Sequence, residues 1–312
     1  MLDEASAATW YKEQSLGYND LVKYLDEHEA FNNENASWVF RGQLAEKEQK
    51  CKQKKRIELA TSLERGCNKS GIELNEAHKV EQMMVREFRR VYDGEDRQDV
   101  LKDTLYCLSL LRHYGAPTRL LDFTYSRNIA LYVGLKEAYN RIEDGEEEAS
   151  FALWCIDSKD MNARAKTCCS KNNLQEAFDD RADIDKRNDK SFHRLYTDSN
   201  LKMVISEKPA RIHKRLHLQQ GILMCPANVH ISFMDNLGSL YDKSGEVTVI
   251  RLVCTLSKKT LQDEFELVGK MNITEESLFP GLDGLAGSMN YRMGFLKKLW
   301  EKVDDVGGWP KT

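Results

Sequence analysis

The spacing of apolar and polar residues predicts a helix-rich first half and a strand-rich second half. Helical spacing of apolar residues is found over 7–28, 76–92, 99–114 and 128–139, and further helices are predicted over 209–218, 256–267 and 281–303. Short apolar runs typical of strands lie at 38–40, 151–157, 204–206, 221–225, 230–234 and 246–254. This order of elements favours an α+β fold.

Two strongly polar segments interrupt these elements. Residues 44–57 are densely charged, which is typical of a solvated helix face or loop, with a nucleic-acid patch as the alternative. Residues 158–202 contain few large apolar residues and predict a structured loop or small insertion. We therefore predict a helical segment over 1–30 followed by a single domain over 31–312.

Composition narrows the classes of protein further. The 312 residues carry a formal net charge of -4, which does not favour a strongly basic nucleic-acid binder. No apolar run approaches a membrane helix, and the first residues lack a signal-peptide pattern, so we expect a cytoplasmic protein without membrane association. The eight cysteines form no CxxC pair. His213 and His217 lie four residues apart, but Lys214 replaces the Glu of the metalloprotease pattern, so we predict no metal.

A polar cluster between two apolar helical runs is the most informative segment, Leu108–Leu135. Its members are His113, Tyr114, Thr118, Arg119, Asp122, Thr124, Ser126 and Arg127. On an extended strand Asp122, Thr124 and Ser126 would share one face, and the N–H groups that open the next helix could receive an anion. The alternative interpretation is that Asp122 and Thr124 cap this helix and hold the turn.

A second candidate lies on the early strand at 38–43, where Arg41 follows apolar residues and precedes Gly42. A guanidinium group there can direct several donors at a phosphate or carboxylate. Gly42 allows a ligand or another backbone to approach closely. The alternative is that Arg41 forms a structural ion pair at the end of the strand.

Six sequence blocks, in this order, resemble the FRG domain, a widespread and mostly bacterial module named for its Phe/Tyr-Arg-Gly signature. The blocks are WVFRGQ (38–43), TSLERG (61–66), EQMMVREFRR (81–90), the stretch 108–135, RLHLQQG (215–221) and ESLFPGLDGLA (276–286). Three positions depart from the family pattern: Arg112 replaces a Gln, Phe123 a Trp and Gly281 an Asp. Arg112 adds a cation near the expected site.

The block order also resembles ADP-ribosyltransferases of the Arg-Ser-Glu type. This resemblance implies a split β-sheet core and NAD as substrate, without a metal. The residues that would bind NAD are Arg41, Gly42, Arg119, Thr124, Ser126 and Gln219. The residues that would carry catalysis are Arg41, His113, Asp122 and Gln220. His113 would act as a general base or position the ligand, or it would merely hydrogen-bond the turn at 115–117.

One departure bears directly on catalysis. Where these transferases have a late Glu, this chain has Gln219, Gln220 and Gly221. A neutral amide cannot balance the cationic charge of the transition state. Asp122 could supply the missing carboxylate, or an acid of the segment 264–276 could do so: Glu264, Glu266, Glu275 or Glu276.

Three hypotheses follow. The leading one is an NAD-dependent ADP-ribosyltransferase-like enzyme that modifies a protein or nucleic acid, or hydrolyses NAD, in bacterial antiphage defence or as a toxin. The second is a non-catalytic module that senses a nucleotide or binds a protein partner. The third is nucleic-acid recognition through the basic segments 52–56 and 86–90, which would give a steep salt dependence.

Overall fold

A seven-stranded sheet forms the centre of the fold. The computed structural model describes residues 10–48, 54–143, 147–183, 189–241 and 248–289. The strands are β1 Lys12–Leu16, β2 Trp38–Leu44, β3 Glu46–Glu48, β4 Lys54–Arg56, β5 Leu121–Thr124, β6 Glu148–Asp157, β7 Val204–Glu207, β8 Gly221–Pro226 and β9 Val249–Ser257. The sheet order is β1-β9-β6-β2-β5-β8-β7, while β3 and β4 form a separate antiparallel pair. Strand β1 runs parallel to β9, and the other neighbours are antiparallel.

Helices cover both faces of this sheet. They are α1 Tyr18–Glu27, α2 Ser62–Ser70, α3 Ala77–Val91, α4 Arg97–Lys102, α5 Thr104–His113, α6 Arg127–Glu143, α7 Ser158–Lys171, α8 Gln175–Asp180, α9 Asp189–Tyr196, α10 Lys214–Leu218, α11 Phe233–Gly238, α12 Lys258–Lys270 and α13 Glu275–Leu278. Residues 282–289 are also helical. The expected fold of helices and a sheet is confirmed. Within the described part of the chain, no helix is long and apolar enough to cross a membrane.

Alternating side chains of the strands bury both faces of the sheet. On β8, Leu223 and Cys225 join the apolar core that includes α5 and α9, whereas Ile222 and Met224 pack on the opposite face with Trp154. A third core fills the space between α1, α6, α12 and the strands β6 and β9. This double coverage explains why the strands read as continuous apolar runs rather than alternating ones.

The sheet divides between β2 and β5. Strand β2 pairs with β6 along its whole length, and β5 pairs with β8 over four residues. Between β2 and β5, by contrast, a single pair joins Phe40 to Thr124. The two halves of the sheet therefore meet at one point and separate beyond it.

Several sequence predictions of secondary structure are confirmed closely. The helices predicted over 76–92 and 128–139 correspond to α3 and α6, and the strands at 151–157, 204–206 and 221–225 correspond to β6, β7 and β8. The prediction over 99–114 is correct in type but misses a break at Asp103. The Asp103 side chain accepts a hydrogen bond of 3.0 Å from the backbone N–H of Tyr106, which starts α5 as a separate helix.

Other predictions were wrong. Residues 12–16 are a strand rather than part of a helix over 7–28, because their partner is the distant strand β9. The charged segment 44–57 contributes the paired strands β3 and β4. The predicted strand 230–234 is replaced by α11, which Ser232 caps by accepting from the N–H of Asp235. Residues 1–9, and 290–303 of the last predicted helix, lie outside the described residues.

The polar middle of the chain is largely helical, so the expectation of a structured loop was wrong, whereas a small insertion stays a prediction. Helices α7, α8 and α9 occupy most of the described part of 158–202. The buried stripe of α7 consists of Met161, Ala165 and Cys169, at intervals of four residues. Small residues at this spacing form a packing face without raising the hydrophobicity of the segment, so the pattern was easy to overlook.

Candidate functional site

A cleft of about 160 Å3 opens between the C-terminal end of α5 and the turn from α10 to β8. The residues that line it are Ser109, Arg112, His113, Gly115, Asp122, His213, Arg215, Leu216, Gln219 and Leu223. Three of the predicted site residues, His113, Asp122 and Gln219, therefore meet in one place. The cleft lies beside the division of the sheet, because Asp122 is on β5.

Among the described residues, Asp122 is the single carboxylate in the wall of this cleft. Its Oδ2 accepts a hydrogen bond of 2.8 Å from Nε of Arg112 and lies 2.7 Å from Nη2 of the same residue. Burial alone would raise the pKa of this carboxyl, but the cations of Arg112 and Arg41 outweigh burial and lower the pKa. The Asp122 side chain remains 37% exposed, so the ion pair faces the cleft.

The end of α5 brings Arg112 and His113 to the cleft. The N–H of Ala116 bonds the carbonyl of Leu111, at 2.9 Å, and Gly115 has a φ of +84°. This is the left-handed closure that glycine favours after a helix. The chain then returns directly into β5, which places Asp122 against the last turn of α5.

Two histidine rings lie next to each other in the wall of the cleft, tilted by 43°. The rings of His113 and His213 have centroids 4.5 Å apart. His213 precedes α10 and caps it, since its Nδ1 accepts from the backbone N–H of Leu216 at 3.2 Å. Burial, followed by His113 and Arg215, lowers the pKa of His213 to about 4. Burial, followed by Arg215, also lowers the pKa of His113.

The Nδ1 atom of His113 is buried and has no hydrogen-bond partner within the described residues. His113 therefore does not hold the turn at 115–117 through this atom, which was one of the two interpretations of the residue. A buried, unpaired ring nitrogen costs free energy unless a ligand satisfies it. His113 lines the cleft, and no protein group among the described residues satisfies this nitrogen.

Arg215 contributes a second guanidinium group to the wall. Its Nη1 donates to the carbonyl of His113 at 3.4 Å, and its guanidinium carbon lies 4.3 Å from the ring centroid of Phe279. Burial lowers the pKa of Arg215, and the nearby Asp122 opposes this shift. Gln219 is held beside it, because its amide donates to the carbonyl of Leu278 at 3.3 Å.

Arg41 lies behind the cleft rather than in its wall. Its Nη1 donates to the main-chain carbonyl of Asp122 at 2.8 Å, and its Nε donates to the side chain of Gln43 at 3.3 Å. Burial lowers the pKa of Arg41 to about 10, against the opposing effect of the Asp122 carboxylate. The group stays charged at neutral pH and contributes positive potential to the site.

The hydroxyl groups of the β5–α6 junction are engaged in the backbone. Thr124 Oγ1 donates to the carbonyl of Gln219 at 2.7 Å and accepts from the N–H of Ser126. Ser126 Oγ accepts from the N–H of Ile129 and so caps α6. Of the two residues that the alternative interpretation assigned to the turn, Thr124 does hold it, whereas Asp122 faces the cleft and Ser126 caps the helix. Gln220 has an exposed side chain and a φ of +46°.

Two more predicted ligand-binding residues lie away from the cleft. Arg119 is buried, pairs with Glu81 and donates to the carbonyl of Tyr196 at 2.7 Å. Gly42 is approached by a helix backbone: a Cβ there would lie 2.0 Å from the carbonyl oxygen of Ala130 on α6. The sequence predicted that either a ligand or another backbone would approach Gly42, and in the structure it is a backbone.

The late acids do not supply a second carboxylate to the cleft wall. Glu275 is closest, near Arg215, but its Oε2 is bonded by Lys136 at 2.7 Å and by Tyr132 at 3.1 Å. Glu266 pairs with Lys270 on the surface of α12. Glu264 and Glu276 are likewise not among the residues that line the cleft.

Two members of the wall were missed from the sequence. His213 was considered only as a metal ligand, and Arg215 only as part of a family block. The spacing of His213 and His217 did not match a metal-binding pattern in the sequence. Within the described residues, no group of three or more side chains is suited to a metal ion. Arg215 could have been recognised as a candidate, because it belongs to the same sequence block as Gln219, residues 215–221.

The family model of the FRG domain matches residues 36–141. The chain thus carries an FRG domain, and the matched range runs from β2 to α6 and includes Arg41, Arg112, His113 and Asp122. No curated protein and no solved structure matches this chain. The other residues of the wall, His213, Arg215, Leu216, Gln219 and Leu223, come from outside the matched range.

Proposed function

We propose that the cleft binds the phosphate of a nucleotide and that this protein is a nucleotide-binding module. The charge of the wall supports this most directly: Arg112 and Arg215 present two guanidinium groups against the single carboxylate of Asp122. Both histidines are neutral at pH 7 because of their lowered pKa values. Guanidinium groups bind phosphate through paired hydrogen bonds.

The size of the cleft limits which part of the ligand enters. Ligand pockets usually measure roughly 300–1,000 Å3, and this one has about 160 Å3. One phosphate or one ring fits inside, and the remainder would lie on the rim. Tyr114 and Ile212 are exposed there, beside the two histidines, and offer a surface for a base. NAD is the candidate that the family resemblance implies.

Calorimetry with NAD, ADP-ribose and inorganic pyrophosphate tests the proposal. We expect Arg215→Gln to weaken binding at least about tenfold, since a hydrogen bond to a charged group contributes roughly 1.5–3 kcal/mol. The matched control is Arg211→Gln, which removes an exposed arginine paired with Asp99 outside the cleft. Absence of binding, or equal effects of the two substitutions, would contradict the proposal.

ADP-ribosyl transfer from NAD is the second candidate, with a protein, a nucleic acid or water as acceptor. The position of Asp122 supports this candidate, because a bound phosphate would compete with Asp122 for the guanidinium group of Arg112. A phosphate that takes over Arg112 would leave Asp122 as a free carboxylate able to stabilise a cationic sugar. Without a bound phosphate, Arg112 neutralises the carboxylate of Asp122, and nucleotide binding is therefore the first proposal.

Release of nicotinamide from NAD separates the two candidates. If transfer occurs, Asp122→Asn should abolish release while leaving NAD binding intact or stronger, because the competitor for Arg112 loses its charge. If the wild-type protein binds NAD without releasing nicotinamide, the non-catalytic module is supported.

The family resemblance also suggests a cytoplasmic protein that acts in bacterial antiphage defence or as a toxin. The test is to express the wild-type protein and Arg112→Gln in bacteria and to compare growth and phage plaque counts. A protective or toxic effect that Arg112→Gln removes would support this setting. Equal growth and equal plaque counts for both would oppose it.

A further inference from the structure

A second and larger cavity, of about 820 Å3, lies between α3, α9 and the segment 227–230 that follows β8. It shares no lining residue with the cleft. The first residue of α5, Thr104, lines this cavity, and the last residue, His113, lines the cleft. At a rise of 1.5 Å per residue, these ends are about 14 Å apart.

The cavity is strongly cationic. Five arginines line it: Arg86, Arg89, Arg90, Arg97 and Arg119. Within the part of the chain that the structure describes, the single carboxylate lining the cavity is Glu81, which is held by the buried Arg119. Acids beside the cavity neutralise two more of the arginines, since Asp189 lies 3.4 Å from Arg89 and Glu87 lies 3.1 Å from Arg90.

Two of the arginines keep donors for a ligand. Arg86 is exposed and has no hydrogen-bond or ion-pair partner within the described residues, and it lies four positions before Arg90 on the same face of α3. Arg97 is held in place by the carbonyls of Arg89 and Tyr92 through Nη1 alone. Its other guanidinium nitrogens are free of protein acceptors within the described residues.

The remaining wall combines aromatic rings and apolar side chains with polar ones such as Gln82, Thr197 and Asn228. Val85 and Phe192 lie on facing helices, α3 and α9. His78 and His230 close one end, with Nδ1 of the first 3.0 Å from Nε2 of the second. A cavity that combines guanidinium groups with such a wall suits a molecule that has both anionic groups and a flat apolar body.

We propose that this cavity is a second binding site, for a phosphorylated ligand of nucleotide size. Its phosphates would meet Arg86 and Arg97, and its ring system would lie against Val85 and Phe192. The volume lies inside the usual range of roughly 300–1,000 Å3 for small-molecule sites. A nucleic-acid strand is the less suitable occupant, because the arginines line one cavity rather than an extended surface and the chain has a net charge of -4.

ATP serves as the probe, with equilibrium binding measured on the full chain. Arg86→Gln removes one exposed guanidinium group and Gln82→Trp, also at an exposed position, adds bulk in the cavity. Each should weaken binding at this site at least about tenfold. The matched control is Lys79→Gln, which removes an exposed cation of α3 outside the lining. Arg215→Gln, in the cleft, should leave this binding unchanged, which separates the two sites.

Three outcomes would overturn the proposal. One is that ATP does not bind. Another is that ATP binds with equal affinity to the wild-type protein, Arg86→Gln and Gln82→Trp. The last is that a single-stranded oligonucleotide binds more tightly than ATP, depends on Arg86 and displaces ATP, which would identify nucleic acid as the occupant.

Discussion

Nη1 of Arg41 donates a hydrogen bond of 2.8 Å to the main-chain carbonyl of Asp122, where β2 and β5 separate. The two strands share one residue pair, so this bond continues the contact between the halves of the sheet through a side chain. It also holds the backbone of the residue whose carboxylate faces the cleft. Arg41 therefore connects the sheet to the site without lining it.

Replacing Arg41 by lysine tests this connection. Lysine keeps the charge, but one ammonium group lacks the planar fork that reaches both the Asp122 carbonyl and Gln43. We expect Arg41→Lys to lower the free energy of unfolding by about 1–3 kcal/mol, measured by urea denaturation. Arg90→Lys, at an exposed position of α3, is the control and should change little. Equal stability of both variants would contradict the role assigned to Arg41.

Gly42→Ala tests the packing of α6 on β2. The added Cβ would lie 2.0 Å from the carbonyl oxygen of Ala130 and 2.6 Å from the nitrogen of Gly134, both in the helix backbone. The helix would have to move away, and we expect a loss of about 3 kcal/mol or more in the free energy of unfolding. Chemical denaturation measures it.

Gly269→Ala is the matched control, since a Cβ at that position of α12 meets no atom within 4 Å. Alanine has the higher helix propensity, so this variant should gain up to about 1 kcal/mol. A Gly42→Ala variant as stable as the wild-type protein would show that β2 and α6 are less closely packed than described.

Gly42 also shows how far the sequence alone could lead. A glycine after a strand arginine predicted a close approach, and the residue is indeed contacted closely. Its approaching partner lies almost ninety residues later in the chain, on α6. A single sequence contains no information about such contacts, so helix and ligand were equally acceptable interpretations.

The same limit applies to the cleft. The polar cluster contained both Asp122 and His113 as candidate site residues, and the tight turn after α5 brings them to the same cleft. Arg215 lies 102 residues after His113, and only the pairing of β5 with β8 brings it there. Local patterns therefore predicted one side of the cleft, and the fold supplied the other.

The stability of the protein should fall in acid because of His213. Its pKa is about 4 in the folded state and about 6.5 when unfolded. Between these values the unfolded state binds more protons, so stability decreases as the pH falls from about 6.5 toward 4. The lowered pKa of His113 acts in the same direction. The cation of Arg215 helps to lower the pKa of both histidines, and Asp122 partly offsets the lowering for His213.

His213→Asn isolates this effect. Asparagine can still accept the hydrogen bond that caps α10 but does not titrate. We expect the wild-type protein to lose at most about 1.4 kcal/mol per pH unit through this residue, and the variant to lose less over the same interval. Urea denaturation at pH 7, 6 and 5 measures the difference. Parallel pH profiles of the two proteins would rule out a neutral, buried His213.

Breaking the pair between Glu81 and Arg119 should be among the most destabilising single changes. Both side chains are at most 6% exposed, and Arg119 also donates to the carbonyl of Tyr196. Glu81→Gln leaves a buried guanidinium without its counter-charge, so we expect a loss of about 3–5 kcal/mol in the free energy of unfolding. Glu76→Gln, which breaks the exposed pair with Lys79, is the control and should cost less than about 1 kcal/mol.

Replacing both partners should restore part of that loss. In the variant Glu81→Leu with Arg119→Met, apolar side chains of similar length occupy the site and no charge is left buried. We expect this double variant to be more stable than Glu81→Gln, as measured by urea denaturation. If Glu81→Gln instead loses no more than the surface control, the pair is accessible to water and Arg119 is free to bind a ligand directly in the larger cavity.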